Sequence, residues 1–592
     1  MRRNDITAWA ALALFTTTSL VVSCSDWDSH YGVEEQRATA VGTLWENIKA
    51  DGRLTRFAAL VEQSGMGPLL DGANTYTVWA PEDGTYNADS VALLGSRQLQ
   101  QQFVKNHIGH ANRVLSGAVD QERMVMLNGK AMRVGGDGSY AINSVPVGSS
   151  TPGSNGPLYV LGGMLPFNNN LYEFLTNSTK YDISTIDSFY QANHRRSLNI
   201  SKSLAGPIVN GQITYLDSIF DETNDLFTRY GSGYINTEDS SYSMVVPTNT
   251  AWTKAQRIIA PYFKYLKTYG QSAAVLTDDY VAELTINDTY LSDSLVRRSI
   301  MRNLIYNNNL YGNRALQEAS PALGFQGDSL VSIAGTVLRG DDAATLIGQA
   351  RKETLSNGVM WITDSLRIRP WNGWCTPIVI EAENASTLLN TRSGVSETNS
   401  TQVLTVGIAA QNPAIAGAVS GHRYLQVNPG SPSDNPMVYF RVPNALSTTY
   451  SVFIRLVPEN ILDAQIENPA KDSVQLRIFY HRLSDSRMVY QTMSGSNGVS
   501  VGSDLNAVVT RYVGDIAFPA AYQGLGNMAP VIRVQGRGAN QAGYTNTLRI
   551  DAIYLVPREL LDYIHQHPDY KDAALRHNGG ILPISVDDVF NR

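Results

Sequence analysis

Tyr76-Thr77-Val78-Trp79-Ala80-Pro81-Glu82-Asp83-Gly84-Thr85-Tyr86 is a short β-forming run stopped by a proline. Tyr242-Ser243-Met244-Val245-Val246-Pro247-Thr248-Asn249-Thr250-Ala251-Trp252 repeats it. Proline cannot donate to a ladder, so each strand is expected to end there. Each passage has a later companion. Ser154-Asn155-Gly156-Pro157-Leu158-Tyr159-Val160-Leu161 precedes Met164-Leu165-Pro166, and Ser356-Asn357-Gly358-Val359-Met360-Trp361-Ile362 precedes Leu366-Arg367-Ile368-Arg369-Pro370. Repetition at this spacing indicates duplicated domains, because solenoid repeats recur every 20–50 residues or so.

Helical patterns lie between and before these strands. Leu99, Phe103, Val104, His107 and Ile108 share one face at helical spacing, and Leu295, Val296, Ile300, Met301, Leu304 and Ile305 repeat the arrangement. Leu44, Trp45 and Ile48, then Leu54, Phe57, Leu60 and Val61, predict a helical pair broken at Asp51-Gly52.

This order of elements, with a hairpin at Met126-Leu127-Asn128-Gly129, resembles the fasciclin domain. In that family the strand usually reads T-V-F-A-P-T-D-x-A-F, and a Tyr-His pair sits on the following helix. Here Asn106-His107 stands for the pair and Asp83 keeps the acidic position. The second unit departs further: it has Thr248-Asn249, and Asn303-Leu304 near the helical His position. An insertion is expected largely between Asn307 and Gln349. The resemblance implies compact α+β domains over 40–167 and 168–370, associated with adhesion and protein contact rather than catalysis.

After Pro370 the pattern becomes all-strand. Pro377–Ala385, Met437–Pro443, Tyr450–Leu456, Val474–Tyr480 and Leu548–Pro557 alternate or run apolar between turn-prone stretches, which predicts a β-sandwich over 371–557. The opening I-E-A-E-N-A and closing L-R-I-D-A-I-Y-L-V-P resemble the first and last strands of jelly-roll carbohydrate-binding modules. Such modules often carry a structural Ca²⁺ between those strands, which makes Glu381, Glu383 and Asp551 the candidate ligands, since a hard cation takes several oxygens. The plain alternative is that these acids face solvent. Tyr522, Tyr544 and Asn546 lie in Gly-rich loops where these modules often bind sugar, with local packing as the alternative. A terminal helix is expected from Glu559, and the apolar Gly580-Ile581-Leu582-Pro583-Ile584 is expected to dock on a neighbouring domain or a partner.

The start of the chain carries the compartment signal. Met1-Arg2-Arg3 leads an uncharged run from Ile6 to Val22, laid out as a secretory signal. Val21-Val22-Ser23-Cys24 resembles a bacterial lipobox, which implies a signal peptide over 1–23 and acyl chains on Cys24, followed by a linker over 24–39. Ser25-Asp26-Trp27-Asp28 resembles the export signal of Bacteroidetes surface lipoproteins, which implies the outer face of the outer membrane. Past Cys24 the only other cysteine is Cys375, so no disulfide is expected within the mature chain.

Chemistry is harder to find. The net charge of −7 and the lack of a dense Lys/Arg stripe argue against nucleic acid. No nucleophile elbow, P-loop or His-Glu-x-x-His occurs. His107 with His110, and His565 with His567, lack a nearby cysteine and do not read as zinc sites. The expectation is therefore multidomain: two α+β fasciclin-like domains, an all-β jelly-roll sandwich, and a helix and tail over 558–592. The expected role is a non-enzymatic surface lipoprotein that binds glycan, peptide or protein, as an accessory subunit of a TonB-dependent SusC/SusD-like importer. The alternative is an adhesin whose fasciclin pair contacts host or neighbouring-cell proteins.

Overall fold

The structure, a computed structural model, describes residues 42–591 except 229–232, 266–272, 278–279, 285–287, 311, 390–398, 406–411, 462, 485–486, 494–500, 525–527 and 578–579. Cys24 and the signal segment lie outside the described residues. Among the described residues no helix is long and apolar enough to cross a membrane.

The first unit opens with helices Leu44–Ala50 and Thr55–Gln63. Thr43 starts the first of them through a reciprocal capping box with Glu46, which satisfies two otherwise orphaned N–H groups. The sheet contains β1 (Thr77–Pro81), β2 (Ile108–Gly109), β3 (Ala118–Val125), β4 (Ala131–Asp137), β5 (Ser139–Ile142), β6 (Val145–Gly153) and β7 (Gly156–Leu161), in spatial order 2-1-7-6-5-4-3. Only β1 and β7 pair in parallel, with Val78 opposite Leu158. These two strands are buried on both faces, which is why they read as continuous apolar runs. Val78, Ala80, Leu158 and Val160 meet the helices. On the other face Trp79 stacks on Tyr159 at 4.7 Å among Met124, Met126 and Met132.

One polar node ties the unit together. The Asn155 side chain accepts from the Leu44 N–H at 2.7 Å and donates to the carbonyls of Leu70 and Gly72, both at 2.8 Å. Gly156 follows at φ +132°, crossing so close to Tyr76 that a Cβ would stand 1.8 Å from its carbonyl oxygen.

The second unit repeats this construction with β8 (Tyr242–Pro247), β9 (Ile305–Asn307), β10 (Arg351–Leu355) and β11 (Gly358–Thr363), in order 9-8-11-10, with β8 and β11 parallel. Asn170 and Glu173 form the equivalent capping box. Asn357 accepts from Leu171 N–H at 2.9 Å and donates to Ile235 and Thr237 at 2.8 Å, and Gly358 at φ +150° crosses Tyr242 just as closely. The extra length does not lie at 307–349 as expected. The stretch from 307 to 357 answers to 109–155 of the first unit at nearly the same length, but helices Arg314–Glu318 and Asp341–Ile347, with a short hairpin of Ser329–Val331 and Val337–Arg339 between them, replace most of the meander and pack against Trp361. The additional residues lie before β8, where 193–241 carries two hairpins, and between β8 and β9.

Two buried lysines join the units. Lys105 meets Asp217 at 2.6 Å, and Lys130 meets Glu173 at 2.6 Å and Glu238 at 2.7 Å.

The C-terminal third is two antiparallel sheets. One contains β12 (Ile378–Glu381), β14 (Asn399–Thr405), β15 (Arg423–Pro429), β17 (Thr449–Leu456), β21 (Val509–Ala517) and β23 (Leu548–Pro557), ordered 14-15-23-17-21 with β12 also on β23. The other contains β13 (Leu388–Leu389), β16 (Met437–Arg441), β18 (Ser473–His481), β19 (Met488–Thr492), β20 (Val501–Gly502) and β22 (Val531–Gly536), ordered 13-16-22-18-19 with β20 on β18. Val452, Ile454, Ile550 and Ile553 from one sheet share a core with Phe440, Leu476, Ile478 and Ile532 from the other. Helix Arg558–Gln566 covers the outer face of β23: Leu560, Leu561 and Ile564 pack with Phe453, Tyr554 and Val556. The apolar tail joins them through Leu582 and Ile584, so its docking partner is the sandwich itself.

Candidate functional sites

The acids singled out for calcium lie around one turn. Ser420 donates from Oγ to Glu381 Oε1 at 3.0 Å and from its N–H to Asp551 at 3.1 Å. Glu383 Oε1 lies 3.8 Å from where a Cβ on Gly421 would stand. Asp551 is fully buried, and its counter-charge is an arginine: Arg455 Nε lies 2.6 Å from Oδ2. Burial still pushes the Asp551 carboxyl up to about 7, against the pull of Arg455. Glu381 Oε2 and Glu383 Oε2 are buried without a hydrogen-bond partner. Among the described residues, however, no three Asp, Glu, His or Cys side chains converge closely enough to hold a metal. The three acids gather at one turn, but side chains alone do not complete a calcium site there. Asp551 is matched by a guanidinium instead, a neighbour that the strand motifs gave no means of foreseeing.

The expected sugar cleft is revised, because Tyr522 does not share a site with Tyr544 and Asn546. Tyr522 is buried, donates its hydroxyl to the His481 carbonyl, and sets its ring edge-on to Phe518. Tyr544 is paired with Lys471 just before β18, whereas His481 ends β18. Those two ends lie about 25 Å apart along a strand of this length. Tyr544 stays 41% exposed, and Asn546 donates to the Pro432 carbonyl.

His107 is a structural residue. It is fully buried, with Nδ1 2.8 Å from the Phe103 carbonyl, and it accepts at Nε2 from the Leu165 N–H at 3.0 Å. One ring nitrogen donates and the other accepts, which requires the neutral imidazole, and burial lowers its pKa to about 4. Asn106 beside it donates to the carbonyls of Leu165 and Pro166 and accepts from Asn128 at 2.9 Å. This pair pins the end of the helical stretch to the loop after β7. Asp83 accepts from Thr55 Oγ1 at 2.6 Å and from the Arg56 N–H, capping the second helix from a distance.

Sequence comparison bears on the same elements. Residues 52–166 match the fasciclin domain model, so the chain contains a fasciclin domain there. The transforming growth factor-beta-induced protein ig-h3 of Sus scrofa is 23% identical over 154 residues, covering 24% of this chain. The chain spans only 22% of that relative's length. The FAS1 domain pair of the insect cell adhesion molecule fasciclin I aligns with 54% of this chain and 99% of its own, at 12% identity and a TM-score of 0.18. A family 35 carbohydrate-binding module from Clostridium thermocellum aligns with 30% of this chain and 97% of its own, at 14% identity and a TM-score of 0.15.

Proposed function

We propose that this chain is a non-enzymatic binding protein of the outer-membrane surface, anchored by acyl chains on Cys24. In this reading the second α+β unit is a second fasciclin domain and the sandwich belongs to the carbohydrate-module type. The observation that carries it is the repeated Asn-Gly node: Asn155-Gly156 and Asn357-Gly358 make the same bonds to equivalent helices and strands. A fasciclin match over 52–166 therefore extends naturally to the second unit. The partner is a TonB-dependent importer of the SusC/SusD type, for which this chain holds glycan or peptide near the entrance. Tag purification from detergent without crosslinker is expected to recover the importer, and recovery of this chain alone counts against it. Cys24→Ala is expected to release the protein from the membrane fraction. Proteinase added to intact cells is expected to degrade the wild type, and full protection would overturn the surface location.

The fasciclin match also favours a second reading, adhesion to proteins of other cells. Deleting the gene is expected to lower cell–cell or cell–host attachment under that reading and to leave attachment unchanged under the importer reading.

A further inference from the structure

A cavity of about 690 Å³ opens where the second unit, the sandwich and the C-terminal tail meet. Its basic groups come from three separate parts of the chain. Arg302 follows helix Asp288–Met301, Arg339 ends the short strand Val337–Arg339, and Arg576 belongs to the tail. No aspartate or glutamate is among the lining residues. Two acids lie behind the wall: Asp342 is bonded to Asn372 and held by Arg369 at 2.6 Å, and Glu559, whose charge reaches Cys375 and Tyr450, accepts from the Tyr262 hydroxyl at 2.7 Å. Among the described residues none of the three arginines forms an ion pair with a carboxylate.

This arrangement is unfavourable for the protein alone. Arg339 is half-buried, and both burial and the neighbouring Arg576 guanidinium depress its pKa. Like charges brought together in a concave, partly desolvated site repel one another, and an anion between them removes that cost. Guanidinium groups also grip carboxylate and sulfate oxygens in pairs. The rest of the polar lining is neutral, with Thr336, Thr376, Asn444 and Gln523 offering hydroxyls and amides beside the indole of Trp374. Neutral hydrogen-bonding groups around a charged clamp suit a polyhydroxylated anion. The volume lies within the usual range for ligand pockets, roughly 300–1,000 Å³, which is room for one or two sugar rings.

We propose that this junction cavity binds an acidic saccharide whose carboxylate or sulfate is clamped between Arg339 and Arg576, with Arg302 completing the basic wall. The inference names a ligand class for the binding role proposed above, but it depends on neither the lipid anchor nor the importer. Its failure would therefore leave membrane fractionation and co-purification unaffected.

The test is calorimetric titration of the full chain in detergent with digalacturonate, a sulfated disaccharide, neutral digalactose and sodium sulfate. One or both acidic disaccharides are expected to bind and digalactose is not. Binding is expected to weaken at least about tenfold in Arg339→Gln/Arg576→Gln, and to collapse in 1 M NaCl, where the Debye length is about 3 Å. Failure of both acidic sugars to bind overturns the proposal, as does equal binding of digalactose. Sodium sulfate binding as tightly as the sugars would reduce the site to a simple anion trap and overturn the saccharide assignment. An unchanged affinity in a double variant that melts like the wild type would also overturn it. If that variant misfolds, Arg302→Gln and the salt series on the wild type decide, and salt-insensitive binding sinks the idea.

Discussion

The carbonyl oxygen of Tyr76 stands 1.8 Å from the place where a side chain on Gly156 would begin. With φ at +132° as well, this position excludes every L side chain on two grounds. Tyr242 and Gly358 repeat the relationship in the second unit. Gly156→Ala is expected to cost at least about 3 kcal/mol, combining overpacking against rigid backbone with an unfavourable φ. Gly52→Ala is the control, because nothing lies within 4 Å of its Cβ position. Thermal melting reads both. Equal melting of the two variants would show that the node relaxes.

The two Asn-Gly pairs stand out in the sequence as a repeat, but their role does not. Asn155 bonds to Leu44 and Leu70, far upstream, and no local pattern records a contact of that range. Period and proline placement gave the paired central strands, because burial on both faces leaves a continuous apolar run. The place of the insertion is not legible for a related reason. Between Asn307 and Asn357 two helices and a short hairpin stand in for most of the meander, so the residues look foreign although the length is nearly kept. Tyr522 and Tyr544 both sit in Gly-rich loops, and composition cannot tell which end of β18 a loop serves.

Asn155→Ala removes three hydrogen bonds at once. It strands the buried Leu44 N–H and leaves the carbonyls of Leu70 and Gly72 short of a donor. Each buried group left unpaired costs about 1–3 kcal/mol, so the variant is expected to lose several kcal/mol. Chemical denaturation measures the loss. Asn155→Asp keeps the acceptor but sets a buried carboxylate oxygen against the carbonyls of Leu70 and Gly72, and is expected to cost at least as much as alanine at neutral pH.

Nothing in the sequence marks Lys130, yet it is one of the two buried lysines that tie the α+β units together. Its ammonium reaches Glu173, Glu238 and Ser356 and lies 5.2 Å from the Phe167 ring centre. Lys130→Met leaves Glu238 buried without its counter-charge and is expected to destabilise by about 3 kcal/mol. Lys130→Met/Glu238→Gln is expected to regain part of that loss. A double variant no better than the single one would mean that the ion pair is not what couples the units.

His107 gives the first unit an acid limit. Its pKa is lowered from 6.5 to about 4, so the unfolded chain takes up the proton first as pH falls. The stabilisation is complete above about 6.5 and is lost as pH drops through about 4, a difference of about 3 kcal/mol. The His107 ring signals in an NMR titration are expected to stay unmoved until near pH 4. Titration near 6.5 in the folded protein would contradict the neutral, doubly bonded imidazole.

Asp472 drives the sandwich the opposite way. Its backbone N–H donates to Ser503 Oγ at 2.7 Å, and Oδ2 accepts from the Arg549 N–H at 2.9 Å. The Arg549 guanidinium is 3.5 Å away, too distant to offset full burial, and the carboxyl is pushed from 3.8 up to about 7. A raised carboxyl makes the folded state the better proton holder. Stability is therefore complete below about 3.8 and declines as pH rises to about 7, then levels. Asp551, also near 7, adds a slope of the same sign. Hydrogen exchange of the β23 amides is expected to accelerate between pH 4 and 7 beyond the intrinsic rise, after correction for base catalysis. Asp472→Asn is expected to remove about half of that excess and Asp551→Asn the remainder. If the wild type shows no excess, Arg549 and Arg455 hold these carboxylates ionised and burial does not win; an excess that survives in both variants belongs to other groups and overturns the assignment.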